Sequence, residues 1–181
     1  MASEQSSYDF SIKLLHWTSA ILVIGLFTLG LWMVELDYYH KWYQTAPHWH
    51  RSFGILLMLL TVFRLWIKLV QPKVRPLESH QIWERALAKV IHWLLYVGLL
   101  VLFISGYLIS TADGESIKVF NWFEVPALLE LEDKDDLSGT VHKYVAYGFI
   151  GLVLLHILGA LKHHFIDKDE TFSRMLGRKL S

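Results

Sequence analysis

The segment Val141–His164, VHKYVAYGFIGLVLLHILGALKHH, is mostly apolar from Val141 to Leu161, with an imidazole near each end, His142 and His156, and Lys143 beside the first. A run of about twenty apolar residues spans the roughly 30 Å hydrocarbon core of a bilayer as a helix. Fourteen residues at about 100° each return to within about 40° of the starting direction and advance about 21 Å along the axis. Both histidines therefore face one side of the helix, one near each membrane surface.

Three further apolar runs have the same length class: about Leu14–Val34, Phe53–Val70 and Val90–Ile109. None of the four contains Asp or Glu; the second contains Arg64 and Lys68 near its far end, and the fourth contains Lys143 at its start. Of 181 residues 54% are apolar, above the share of an ordinary soluble domain. The expected fold is an all-α integral membrane protein, a four-transmembrane-helix bundle forming one domain over residues 1–181. The apolar run after MASEQSSYDFSIK lacks a small-residue cleavage signature, so it is expected to be a retained first span and not a removed signal.

Lys and Arg set the orientation. Twelve (Lys13, Arg64, Lys68, Lys73, Arg75, Arg85, Lys89, Lys162, Lys168, Arg174, Arg178 and Lys179) fall on one side, against Lys41, Arg51, Lys118, Lys134 and Lys143 on the other. The positive-inside rule puts both termini in the cytoplasm. The first outer loop, ELDYYHKWYQTAPHW, reads as an interfacial aromatic belt. The last outer loop, over 110–140, is acidic and carries Trp122 and Phe123; a surface helix or a lid is expected there.

Composition excludes several chemistries. Formal charge sums to zero and no recognition motif is present, so no nucleic-acid partner is expected. With no cysteine there is no disulfide, thiolate metal site, iron–sulfur cluster or covalently attached haem. Ten histidines make imidazole the available metal donor.

The fourteen-residue interval recurs in the other spans, from His16 to Gly30, His50 to Arg64 and His92 to Gly106. Such a ladder suits two planar metal macrocycles stacked across the bilayer, with imidazole ligands, glycine clearance and a cation for an acidic substituent. Sorted by depth, His50 and His142 form the natural outer pair for a six-coordinate haem iron, whereas His16, His92 and His156 offer three candidates for two inner places. Buried polar groups in a membrane usually have a functional reason. His48 lies about 200° around the helix from His50 and cannot share its face. His40, His80, His163 and His164 read as interfacial or hydrogen-bonded residues.

LLHW around His16, HRSFG from His50, IHWLLY around His92, the Val141–His164 segment and the tail KDETFSRM together resemble the bacterial cytochrome b561 family, related to the cytochrome b subunits of nickel-iron hydrogenase and formate dehydrogenase. The resemblance covers almost the whole chain. It implies a multi-pass protein of the bacterial inner membrane binding two non-covalent b haems and exchanging electrons between the quinone pool, as ubiquinone or ubiquinol, and a periplasmic redox partner. It further implies His16 with His156 as inner ligands and His50 with His142 as outer ligands; the depth argument supports the outer pair and leaves His16 and His92 open, His92 otherwise contacting a propionate or supporting a ligand. By spacing, Arg64 falls at inner-haem depth, where it either pairs with a propionate or snorkels to headgroups. Arg51 and Lys143 flank the outer ligands and either assist propionates or mark the interface.

Some members of that family oxidise superoxide and reduce ubiquinone. Against that activity stands the last outer loop, with Asp113, Glu115, Glu124, Glu130, Glu132, Asp133, Asp135 and Asp136 facing only Lys118 and Lys134, since an anionic substrate favours a basic approach. Two other readings are a membrane-anchor subunit of a larger redox complex and a histidine-lined metal transporter, the latter disfavoured by the absence of intramembrane carboxylates. Quinone-site candidates are His92, Trp93 and Tyr96 at the inner end and Tyr107 and Trp122 at the outer.

Overall fold

The computed structural model describes residues 8–71, 74, 77, 79–128 and 135–177. Glu130, Glu132, Asp133 and Lys134 of the acidic loop lie outside the described residues, as do Lys73, Arg75, Arg178 and Lys179 of the charge count. The four expected spans are four helices, α1 (Phe10–Met33), α2 (Thr45–Val70), α3 (Ile82–Ser110) and α4 (Asp135–Phe165), followed by a short α5 (Thr171–Leu176).

Each helix is longer than its apolar run because polar starts extend it. Asp9 caps α1, its carboxylate accepting from the Ser11 N–H at 2.9 Å. Gln81 and Glu84 form a reciprocal capping box at the start of α3. α2 begins eight residues before Phe53, with Pro47 in its first turn, where a missing N–H costs nothing. Thus His48, His50 and Arg51 are helical residues.

Long helices of this hydropathy must be covered, yet at most 17% of any apolar window is buried by protein. Lipid therefore supplies the remaining cover. Hydroxyls within the spans are satisfied internally: Ser19 donates to the Leu15 carbonyl (2.7 Å), Thr61 to Leu57 (2.7 Å) and Ser110 to Gly106 (2.7 Å). This is the back-bonding expected where no water is available.

The helices associate as two pairs, α1 with α2 and α3 with α4, which meet mainly through α2 and α3. Gly98 makes the second pair possible at its centre, since a Cβ there would lie 2.7 Å from Phe149 Cδ2. α5 docks beneath α1, where Trp17 Nε1 donates to the Met175 carbonyl at 3.0 Å and its ring meets Phe172 edge-on.

Over its described part the last outer loop is not a surface helix. It is an antiparallel hairpin of β1 (Ile117–Val119) and β2 (Phe123–Val125), with Ile117 opposite Val125. Phe120 and Asn121 both take positive φ, 49° and 58°, and the Trp122 N–H closes on the Val119 carbonyl at 2.9 Å. Two left-handed central residues give the turn whose twist matches a two-residue hairpin. Ile117 and Val119 are 2% exposed, because β1 lies on the outer end of α2. Ser52 pins it there, its Oγ accepting from the Phe120 N–H at 3.0 Å. Tyr107 holds the other side by donating to the Pro126 carbonyl (2.8 Å) and accepting from the Leu128 N–H (2.7 Å).

Candidate functional site

The interior histidines gather at two levels. At the outer level His50 of α2 and His142 of α4 face each other with ring centroids 6.3 Å apart and planes at 72°. At the inner level His16 of α1 and His156 of α4 stand 6.2 Å apart at 70°, while His92 of α3 lies 5.2 Å from His156. His156 is thus the shared member of the inner group, and His92 is the most exposed of the three. His142 and His156 are separated by about 21 Å of helix rise.

The glycines of the ladder serve the imidazoles of neighbouring helices. A Cβ on Gly30 of α1 would lie 3.2 Å from His50 Cε1, and one on Gly106 of α3 would lie 3.2 Å from His142 Cε1. Both outer rings therefore rest against backbone where a methyl group would displace them.

The ring nitrogens have distinct partners, from which tautomers are assigned. His142 Nδ1 lies 3.0 Å from Ser105 Oγ. That hydroxyl's own proton goes to the Val101 carbonyl at 2.7 Å, so its oxygen accepts from His142 Nδ1–H and leaves Nε2 as a bare lone pair. His50 Nδ1 is buried without a hydrogen-bond partner among the described residues. His16 Nδ1 instead accepts from Arg64 Nη2 at 3.1 Å, since a guanidinium only donates. Arg64, placed by spacing at the inner level, is thereby found beside an inner histidine.

Other expected residues fall elsewhere. Arg51 and Lys143 are exposed. His48 turns away from His50 and lines an open outer cleft with Gln44, Trp49, Phe120 and Asn121. The Trp42 N–H donates to His40 Nδ1 at 3.2 Å, and His164 sits against Phe165 and Phe172. Among the quinone candidates, Trp93 and Trp122 are exposed, Tyr96 lies 5.5 Å beneath Lys68 Nζ, and the Tyr107 hydroxyl is taken by the hairpin. Ser105 and Ser52 were missed in the sequence, although Ser105 adjoins Gly106 of the ladder and Ser52 lies within HRSFG.

A four-span bundle with imidazoles paired across its interior at two depths has the form of a membrane cytochrome b. The chain matches the prokaryotic cytochrome b561 family over residues 7–178 and belongs to that family. It is 49% identical to "Cytochrome b561 homolog 2" of Escherichia coli (strain K12), covering 92% of this chain and 89% of that protein. It is 30% identical to "Probable superoxide oxidase CybB" of Yersinia pestis (91% and 93% covered) and 28% identical to "Cytochrome b561 homolog 1" of E. coli (91% and 94%). The protein is therefore a multi-pass bacterial membrane protein of b-type haem electron transfer. The donor set suits that cofactor: neutral imidazoles on interior faces, one with its proton fixed away from Nε2, one with an orphaned buried nitrogen, and glycines where the rings need room.

Proposed function

We propose that this chain is a single-domain dihaem protein of the inner membrane, with both termini cytoplasmic, carrying electrons between quinone and a partner at the outer face. The inner haem is held by His16 and His156 and the outer by His50 and His142. The observation that carries this reading is ring separation. Two imidazoles sharing one metal ion, each at a bond of about 2.0 Å and with about 1.1 Å from nitrogen to ring centre, would have ring centres about 6.2 Å apart. The separations of 6.2 and 6.3 Å fit that value, whereas the 5.2 Å between His92 and His156 is about an ångström too short. His92 accordingly takes the supporting place beside the inner level.

When bound, haem would supply a one-electron couple, and two imidazole ligands per iron would favour electron transfer over oxygen binding. The chain's residues set the conditions. Ser105 holds the His142 ring and draws its proton to Nδ1, raising the basicity of the ligating nitrogen. Arg64 presents a fixed positive charge at the inner level. With haem present, Arg64 would be placed to pair with an acidic group at the inner level, such as a propionate. Arg51 and Lys143, exposed on the outer side, are suited to the outer propionates.

Superoxide oxidation, suggested by the name of the Yersinia relative, is the second reading. Lys118, a cation that could attract such an anion, lies opposite Glu124 across the hairpin, which reduces its pull. The test is a pyridine haemochrome assay on purified protein, with His50→Ala alongside. Two haems per chain falling to one, with the inner spectrum retained, are expected; one haem per chain in the unaltered protein refutes the two-level arrangement. Quinone reduction driven by superoxide, compared with oxidation of added quinol, separates the two activities.

A further inference from the structure

A second imidazole cluster lies at the inner end of the bundle, outside the interior ladder. After α4 the Ile166 and Asp167 N–H groups both close on the Lys162 carbonyl, the Asp169 N–H closes on that of His163 at 3.0 Å, and Lys168 takes a left-handed φ of 53°. This reversal carries Asp169 back against the last turn of α4. Its Oδ2 lies 2.9 Å from His163 Nδ1 and 3.0 Å from Nε2 of His80, which arrives from the connection before α3. The imidazole rings stand 4.5 Å apart. One donor atom from each of the three residues lies within 4.8 Å of the others, and the side chains are only 18%, 15% and 8% exposed for His80, His163 and Asp169.

Several carboxylates crowd the cluster and compete for the same side-chain donors. His163 Nδ1 also faces Asp167 Oδ2 at 2.9 Å, and one ring N–H cannot point at two carboxylates. His80 Nε2 is likewise shared with Thr171 Oγ1 at 2.9 Å. Glu84 and Asp167 both lean on the single ammonium of Lys162. With both imidazoles neutral, three carboxylates share one positive charge. Two added protons or one divalent cation would restore balance, and the convergence of two nitrogens and one oxygen on a common point favours the cation.

We propose that His80, His163 and Asp169 form a binding site for a divalent transition cation of the zinc class, separate from the haem ligands. Two imidazoles with one carboxylate select borderline ions of this kind over magnesium or calcium, which prefer oxygen. At bond lengths of about 2.1 Å, ligand atoms around a tetrahedral ion stand about 3.4 Å apart, so the 2.9 and 3.0 Å contacts need open by only a few tenths of an ångström. The fourth position remains for water. His163 follows His156 by seven residues, about 10 Å along α4, so the ion would lie beyond the inner haem ligands, tying the α2–α3 connection to the C-terminal turn.

Haem-loaded full-length protein, purified without a histidine tag and stripped with chelator, is dialysed against micromolar zinc, with magnesium in parallel, and the metal is counted by mass spectrometry. One zinc per chain is expected, with affinity at least tenfold weaker in His80→Ala, His163→Ala and Asp169→Asn. His164→Ala should bind as the unaltered protein does, and the haem spectrum of each variant reports folding. Hydrogen exchange on the unaltered protein needs no variant: one equivalent of zinc should slow amide exchange at Thr171 and in α5. Zinc binding no greater than that of the doubly substituted His80→Ala, His163→Ala protein overturns the proposal, as do equal competition by magnesium or unchanged exchange.

Discussion

Replacing Ser105 by alanine tests the outer level with one atom. Ser105 is 4% exposed and its Oγ stands 3.0 Å from His142 Nδ1, so no water takes its place without rearrangement. The substitution also loses the hydroxyl's bond to the Val101 carbonyl, but that oxygen keeps its helical partner. The net loss at the imidazole is then one hydrogen bond, about 1 kcal/mol, rising to about 2–3 kcal/mol if Nδ1–H is left buried and unpaired. Outer-haem affinity should fall about fivefold at the low estimate and up to about a hundredfold at the high one. The potential should shift as well. A ligand whose Nδ1–H is hydrogen-bonded is more basic and favours ferric iron, so its loss raises the outer midpoint. Fivefold corresponds to about 40 mV for one electron at 59 mV per decade. Haem titration and a spectroelectrochemical redox titration read the two effects, and Ser105→Thr should restore both. An outer midpoint unchanged within 10 mV together with unchanged affinity, or a shift confined to the inner haem, refutes the assignment of Ser105 to the His142 ligand.

Three other outcomes follow from contacts already described. In Gly98→Ala the new methyl would lie 2.7 Å from Phe149 Cδ2, so α3 and α4 must separate locally; a destabilisation of about 1–3 kcal/mol, read as a lower thermal midpoint in detergent, is expected. Arg64→Gln removes the cation beside His16 and should lower the inner-haem midpoint while leaving the outer one in place, measured in the same redox titration. The Ser11 N–H bond at Asp9 holds that carboxyl below its ordinary value of 3.8. A lowered folded-state value stabilises the native form above the ordinary one and loses that contribution as pH falls through the lowered value. Protection of the amides in the first turn of α1, relative to their intrinsic exchange, should thus fall below about pH 4, and Asp9→Asn should flatten the dependence.

Hydropathy made the four spans legible because each run is apolar on every side, and the ladder was legible because helical geometry fixes what fourteen residues do. Helix ends were less so: Thr45–Ser52 reads as loop by hydropathy, yet Pro47 is acceptable in a first turn and the helix continues outward through it. The hairpin at Ile117–Val125 was hidden because its strands are three residues long and Phe120–Asn121 is not a strong turn signal. Gly30 and Gly106 lie against His50 and His142, a relation between helices that spacing within one helix does not express. His80 and Asp169, 89 positions apart, meet only because the chain reverses after α4. Sequence spacing likewise left His16 and His92 equal, and it does not express the difference of an ångström in their ring separations from His156.

The association of the helices as two pairs has a consequence for biogenesis. On the proposed ligand set, His16 and His50 belong to the α1–α2 unit and both partners belong to α4, so each haem would draw its ligands from both units. Apart from the hairpin seated on α2, direct helix-to-helix contact between the units is sparse. Haem supply would then govern the joining of two separately inserted halves, acting as an assembly checkpoint. Co-expressed halves cut between α2 and α3 should recombine in haem-replete cells and be degraded as orphans when haem synthesis is blocked.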